Sequence, residues 1–401
     1  MGIEVSVIMI SHNKYPENLF SLYALEKQTF DHSKMEVILV DDASSDETPT
    51  INNQSFSFPF KYVRCEENVG RSKIKNIGIE EAKGDILILL DSEMILEPSF
   101  VEQHYSYHQT NENLVVTGVL QHYCSYTVFY PEFNKRQRRK LLSLMKRRRK
   151  WIPKNNRILI RSRIKSGTTT KFPLFTKEEI QLERYKALSS HMPSFREVIE
   201  RYGVELKDYK MPWTFVITRN ISLRKKLIKA VGAFYEGFQG HGFEDWELGY
   251  RLFKYGAKII ENPNVSVYHQ EHPKSKENLR DNLTNYLTFL KLHPNFDVGA
   301  WALDWIKKKS YFEISDMITE YEKIMAESPE MITNITKGLN ALFYSVLNEL
   351  YENRKVTNLL SISGIENNLE WKELIFKERE NLINQNMGTK LVEALDLLIN
   401  L

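Results

Sequence analysis

Four groups of side chains have the type and spacing to do chemistry. Asp91 and Glu93 end the run from Gly84 to Glu93, in which Ile86 to Leu90 are all apolar. Two carboxylates spaced i, i+2 at a strand's end can hold a hard divalent cation, Mn2+ or Mg2+, and that cation can hold a diphosphate. An acidic surface loop is the plainer alternative. Glu244 and Asp245 follow a loop containing Gly237, Gly240 and Gly242 and begin a helical pattern. The helix dipole favours carboxylates in a first turn, and an ionised acid there can serve as a general base. His269 ends a strand-like run. A histidine there is commonly structural, but a neutral imidazole could complete a ligand sphere, especially for Mn2+. Asp41 and Asp42 end another apolar run. Either could accept an N–H of a base or the hydroxyls of a ribose, or could simply make an Asx turn or cap a helix.

The elements that must position these groups alternate between two periodicities. Val5 to Ile10, Met35 to Val40, Phe60 to Cys65, Ile86 to Leu90 and Leu114 to Leu120 read as strands. Leu19 to Leu25 and the segment opened by Gly70-Arg71-Ser72-Lys73 read as helices. Strand–helix alternation predicts an α/β fold with a parallel, doubly wound sheet, and right-handed crossovers bring the strand ends to one edge. Ser11, Asp42 and Asp91 should therefore converge in one crevice, where such sheets bind ligands. Arg71, at a helix start, either meets a phosphate there or covers the surface.

From Lys135 to Lys165 the chain is dense in Lys and Arg and contains no acid. Such a run repels itself and attracts nucleic acid, an anionic membrane surface or a phosphate-bearing acceptor; a solvated helical face is the alternative. Leu141, Leu142, Leu144 and Met145 make part of it amphipathic, and Trp151-Ile152-Pro153 should end that helix. Aromatics are not interleaved with the cations, as they are in single-strand binders. Lys171 to Tyr209 reads as helical, and Pro212 to Leu223 as strand-like. Phe243, Trp246, Tyr250 and Phe253 fall on one helical stripe behind Glu244 and Asp245. Lys258 to Ile260 and Val265 to Tyr268 read as strands, and the pattern after Pro273 is helical to Leu401.

The chain has 401 residues, a net charge of +3 and two cysteines, Cys65 and Cys124. That excludes a disulfide framework and suits a reducing cytosol. With no signal-like start and no apolar run long enough to span a bilayer, the expected location is cytoplasmic, with at most peripheral contact at the membrane's inner face.

Five stretches in order resemble family 2 glycosyltransferases: Val7 to Asn13, Val40 to Asp46, Asn68 to Arg71, Leu89 to Glu93, and Gly242 to Leu252. The likeness covers roughly residues 3 to 272, interrupted by 125–205. It departs in its first motif, Ile-Ser-His-Asn for the common Pro-Thr-Tyr-Asn, and in Glu93, where the family's metal motif commonly ends in Asp. The resemblance implies the GT-A fold and metal-dependent, inverting transfer from a UDP-sugar to a glycan, polymer, lipid-linked or peptide acceptor. It places Asp42 at the uracil, with Ser11, Asp41 and Arg71 nearby. It assigns Asp91, Glu93 and His269 to the metal, Asp91 also lying on the nucleotide-sugar side, Glu244 to the acceptor motif, and Asp245 to the catalytic base.

It also implies a bacterial, cell-surface polysaccharide setting. Residues 1–124 would be the nucleotide-sugar-binding half, 125–210 a basic and helical insertion, and 211–295 the acceptor half. Residues 296–401 would be a helical region that could carry self-association. Nucleotidylyl transfer and nucleic-acid binding through 135–165 are the rival readings. The first usually needs a Gly-rich loop after the first strand, where this chain has Ser11-His12-Asn13-Lys14.

Overall fold

A computed structural model of the chain describes residues 2–150, 152, 154–193, 195–273 and 278–401. Trp151 and Pro153, expected to close the basic helix, lie outside them. The chain divides into two compact units. The first comprises residues 1–206, 213–236 and 244–276, and the second comprises 207–212, 237–243 and 277–401.

Among the described residues, the first unit holds thirteen strands. These are β1 (Val5–Ser11), β2 (Met35–Asp41), β3 (Phe60–Arg64), β4 (Ile86–Asp91), β5 (Met94–Leu96), β6 (Leu114–Thr117), β7 (His122–Ser125), β8 (Val128–Phe129), β9 (Phe172–Pro173), β10 (Ser189–His191), β11 (Ile221–Arg224), β12 (Lys258–Glu261) and β13 (Val267–Gln270). The main sheet has the order β12-β6-β11-β4-β1-β2-β3. Its centre, β4-β1-β2-β3, is parallel, as the Val/Ile/Leu-rich runs predict for strands covered on both faces. One departure from the all-parallel expectation is β11, which runs antiparallel to both β4 and β6. Gly84, just before β4, packs against the β1 backbone. A Cβ there would stand 2.6 Å from the Ser6 backbone nitrogen, so only glycine fits.

A second sheet, β10-β7-β13-β5, is built from short strands that the sequence pattern largely conceals. Lys171–Tyr209, expected to be helical, contains, among the described residues, β9, β10, two short α-helices, Lys177–Gln181 and Arg196–Tyr202, and a 3-10 helix, Arg184–Leu188. Its apolar residues Phe172, Leu174, Phe175, Tyr185 and Leu188 fill a core instead of lining one helix face. Pro212–Phe215 is a 3-10 turn, so the strand begins only at Ile221.

The described part of the basic run is largely helical. Helix Lys135–Arg147 starts on an Asn134/Gln137 capping box and buries Leu141, Leu144 and Met145 in one core with Ile95, Phe129 and Tyr268. Arg136, Arg139 and Lys146 to Lys150 remain exposed, as do Arg161, Arg163 and Lys165 from helix Lys154–Lys165.

The second unit is helical. Its longer members are Asn278–Leu292, Tyr311–Glu327, Thr333–Tyr351, Leu369–Asn384 and Thr389–Ile399, as the periodicity predicts. The glycine loop 237–243 belongs to this unit. Gly240 and Gly242 have positive φ, and a Cβ on either would run into Asp281 or Asn282. Asn285 ties the loop down through the carbonyls of Gln239 and Gly242, at 2.7 and 2.8 Å. These glycines therefore serve local packing, a simpler reason than the approach of a ligand. Among the described residues no helix is long and apolar enough to cross a membrane.

Candidate active site

Parallel registry assembles the first part of the site. Ser11 pairs with Asp41, and Ile10 with Asp91, so three strand ends share one edge. Asp41 is fully buried; its carboxylate accepts from Tyr62 Oη at 2.5 Å, Arg64 Nη1 at 2.6 Å and the Ser44 N–H at 2.9 Å. It braces the edge. Asp42 accepts from the N–H groups of Val69 and Gly70, at 2.6 and 3.2 Å, and so fixes the loop that leads into helix Arg71–Glu81. Ser11 Oγ accepts from Asn18 Nδ2 at 3.1 Å. Asn13 adopts positive φ, which Asn tolerates better than most residues. Its carbonyl oxygen accepts from the Ser45 and Asp46 N–H groups and zips two crevice loops together.

The Asp91/Glu93 pair does not act as one unit. Had β4 continued, the two acids would share a face. Instead β4 ends at Asp91, Ser92 and Glu93 form a turn, and β5 begins at Met94 in the other sheet. There β5 pairs antiparallel with β13, placing His269 opposite Met94. The Gln270 N–H donates to the Glu93 carbonyl at 3.0 Å. Glu93 Oε1 lies 2.7 Å from Lys14 Nζ, 3.5 Å from His272 Nε2 and 4.0 Å from His269 Nε2. Among the described residues, Glu93, His269 and His272 form the one cluster of three side chains that could share a metal ion. Asp91 stands outside it.

The donor atoms of this trio fit a divalent ion. All three lie within 4.8 Å of one another. His272 Nδ1 is 2.9 Å from the Pro273 carbonyl, so in the neutral ring Nδ1 carries the proton and the Nε2 lone pair faces Glu93. Gln137 donates to the His272 carbonyl at 3.2 Å and to Glu271 at 2.6 Å, so the basic helix also secures this segment. Burial would raise the Glu93 carboxyl, but it is held well below the usual carboxylate range, with the Lys14 ammonium the largest opposing influence. Burial pushes His269 down to about 4, keeping its ring neutral. Asp91 is pushed up, by burial first and by the Glu93 charge second, against Arg71 and Lys75.

Glu244 and Asp245 open helix Glu244–Lys254 as expected. The apolar face behind them is shifted, however. Leu248, Tyr250 and Leu252 are buried, whereas Trp246 and Phe253 are only half-buried. The two acids meet on a residue that the sequence reading missed. Lys75 is 2% exposed, and its Nζ donates to Glu244 Oε1 at 2.9 Å and to Asp245 Oδ1 at 2.6 Å. Its ammonium also lies 4.8 Å from the Phe234 ring centroid. Burial would raise Glu244, but Lys75 and then Arg71 bring it down to about 2. Asp245 also accepts from Thr218, at 2.8 Å from Oγ1 and 3.0 Å from the N–H. Ile10, Lys75, Asp91 and Thr218 line one small void at this edge. Arg71 is held above its ordinary pKa by Asp91, Glu244, Glu93 and Asp245, in that order, against the opposing effect of burial.

Lys75 had a faint signal. It lies four residues after Arg71 and four before Ile79, on the stripe that faces the sheet. His272 and Lys14 had none, because a cation beside a strand end reads as surface.

A family model described as "Glycosyl transferase family 2" matches residues 6–166. An uncharacterized glycosyltransferase of Bacillus subtilis (strain 168), YfnE, is 32% identical over 287 residues, covering 70% of this chain and 69% of that protein. The chain belongs to glycosyltransferase family 2. The hyaluronan synthase of Pasteurella multocida is 26% identical to this glycosyltransferase over 281 residues, 70% of this chain but only 26% of the synthase. Among solved structures, S. aureus TarS 1–349 in complex with UDP superposes with a TM-score of 0.46 at 12% identity, covering 96% of this chain and 92% of that one.

Proposed function

We propose that this glycosyltransferase moves a sugar, with inversion, from a UDP-sugar to a hydroxyl of a glycan, polymer, lipid-linked or peptide acceptor. The observation that carries this is the pairing of Glu244 and Asp245 on one buried cation, Lys75, which lines the same small void as Asp91. A carboxylate offers about four acceptor sites. Lys75 and Thr218 occupy three on Asp245, which leaves room for one hydroxyl donor. Asp245 then takes the acceptor proton as the oxygen attacks the anomeric carbon, and Glu244 shares the work of fixing Lys75. Ser11, Asp42 and Arg71 flank the nucleotide, with Asp41 bracing the strand end. Glu93, His269 and His272 would hold the metal, and two imidazoles with one carboxylate suit Mn2+ better than Mg2+. Such an ion, when bound, offsets charge on the departing diphosphate. Asp91, which faces the crevice, serves the donor side. A relative named for a polysaccharide supports a glycan acceptor.

A UDP-release screen across UDP-sugars, with and without Mn2+, tests this reading. One sugar should release UDP, and His272→Ala should lower the Mn2+-stimulated rate by about 10–100-fold. Equal rates with and without Mn2+ would remove the metal from the scheme, and silence across all UDP-sugars would remove the donor.

The exposed cations of 135–165 supply a docking face for an anionic lipid surface. Leu142 and Ile158, 37% and 56% exposed, stand among them, an amphipathic combination that favours a bilayer over a nucleic acid. Vesicles containing phosphatidylserine should bind the protein and release it as salt rises. Retention of the protein by neutral vesicles alone would overturn this assignment.

A further inference from the structure

We propose that the Lys14 ammonium is a resident stand-in for the divalent cation, so that loading the Glu93–His269–His272 site requires Lys14 to swing out and unloading lets it return. This rests on reading that trio as the metal site. Lys14 Nζ lies 2.7 Å from Glu93 Oε1 and 3.1 Å from His272 Nε2, against two of the three atoms that an ion would use. Without an ion, Glu93, whose side chain is 9% exposed, would be a nearly buried charge beside two imidazole rings. Lys14 supplies the missing charge.

The local structure lets Lys14 leave without disturbing the fold. Its backbone follows Asn13, which is pinned by Ser44, Ser45 and Asp46. Its side chain is 22% exposed and ends a flexible four-carbon stem, so the ammonium can rotate toward water or a phosphate. An ammonium and a divalent ion cannot share these ligands. Their repulsion at about 4 Å weakens metal binding roughly thirtyfold even at the dielectric constant of water. Lys14 is therefore a positioning residue that sets how tightly the site holds its ion.

The test is Mn2+ binding itself, measured by electron paramagnetic resonance of the free ion. Wild type, Lys14→Met and Glu93→Gln are titrated with Mn2+ and no sugar nucleotide. Lys14→Met should bind about tenfold or more tighter than wild type, and Glu93→Gln should lose binding. Equal or weaker binding by Lys14→Met, with Glu93→Gln still defective, overturns the displacement and leaves the metal site standing. No binding by either wild type or Lys14→Met overturns both. A second readout uses the wild-type chain alone. Saturating Mn2+ should raise the acylation rate of Lys14, read by mass spectrometry, several-fold. An unchanged or lower rate would mean that the ammonium stays in place.

Discussion

Asp245→Asn should lower kcat by about 10²- to 10⁴-fold, the usual contribution of a positioned general base. The amide keeps the size of the side chain and can still accept from Thr218 through its carbonyl oxygen. It cannot take a proton, and it replaces a carboxylate oxygen with a donor near the Lys75 ammonium. The proposed nucleotide side comprises Ser11, Asp42 and the loop at Val69–Gly70, whose hydrogen bonds do not involve Asp245. UDP affinity should therefore stay within a few-fold of wild type. Calorimetry with UDP and a transfer assay on the same preparation separate the two effects. Transfer at the wild-type rate would remove Asp245 from the role of base.

Lys75→Met should be the most destabilising single change at the site. Methionine keeps much of the shape, so the loss is mainly one of charge. It leaves Glu244, 3% exposed, and Asp245 without their shared cation. Removing one partner from a buried ion pair costs about 3–5 kcal/mol. For a chain of this size that is a fall of roughly 4–6 °C in Tm. The pH dependence gives a sharper signature. In the wild type Glu244 sits at about 2, below its ordinary value of 4.5. Its contribution to stability is fully present above about 4.5 and is lost as acid carries the pH down through 2. Without Lys75, burial outweighs Arg71 and raises Glu244 above 4.5, so the variant should regain stability as the pH falls toward 4.5 and gain nothing further below it. Thermal melts of both proteins between pH 3 and 7 would show this. A Tm for Lys75→Met within 2 °C of wild type at pH 7 would sink the idea that Lys75 carries the pair.

The strands that carry Ser11, Asp41 and Asp91 were legible because buried parallel strands are written as short Val/Ile/Leu runs with polar ends. Helix Glu244–Lys254 was legible from its acids and its apolar stripe. Expectation failed where position depends on partners distant in sequence. Asp91 and Glu93 looked like one bidentate motif, but the chain turns from one sheet into another between them, and no local pattern marks that change. Lys75 meets acids 169 and 170 residues away, and Lys14 meets a histidine 258 residues away. Each reads as solvated when only its neighbours are considered. The segment 171–209 was misread for a related reason. Its apolar residues fill a core shared with β5 and β13, so they follow the shape of that core and not a helical period.

Helix Arg71–Glu81 has a mechanical consequence. Its first turn hangs on Asp42 through the amides of Val69 and Gly70, and Lys75, five residues beyond Gly70, holds Glu244 and Asp245. At 1.5 Å per residue, about 8 Å of rigid rod joins the two attachments. A nucleotide that shifts the Val69–Gly70 backbone therefore moves the ammonium on which Asp245 rests. One short rod thus carries any displacement at the Asp42 end of the helix to the ammonium that Glu244 and Asp245 share.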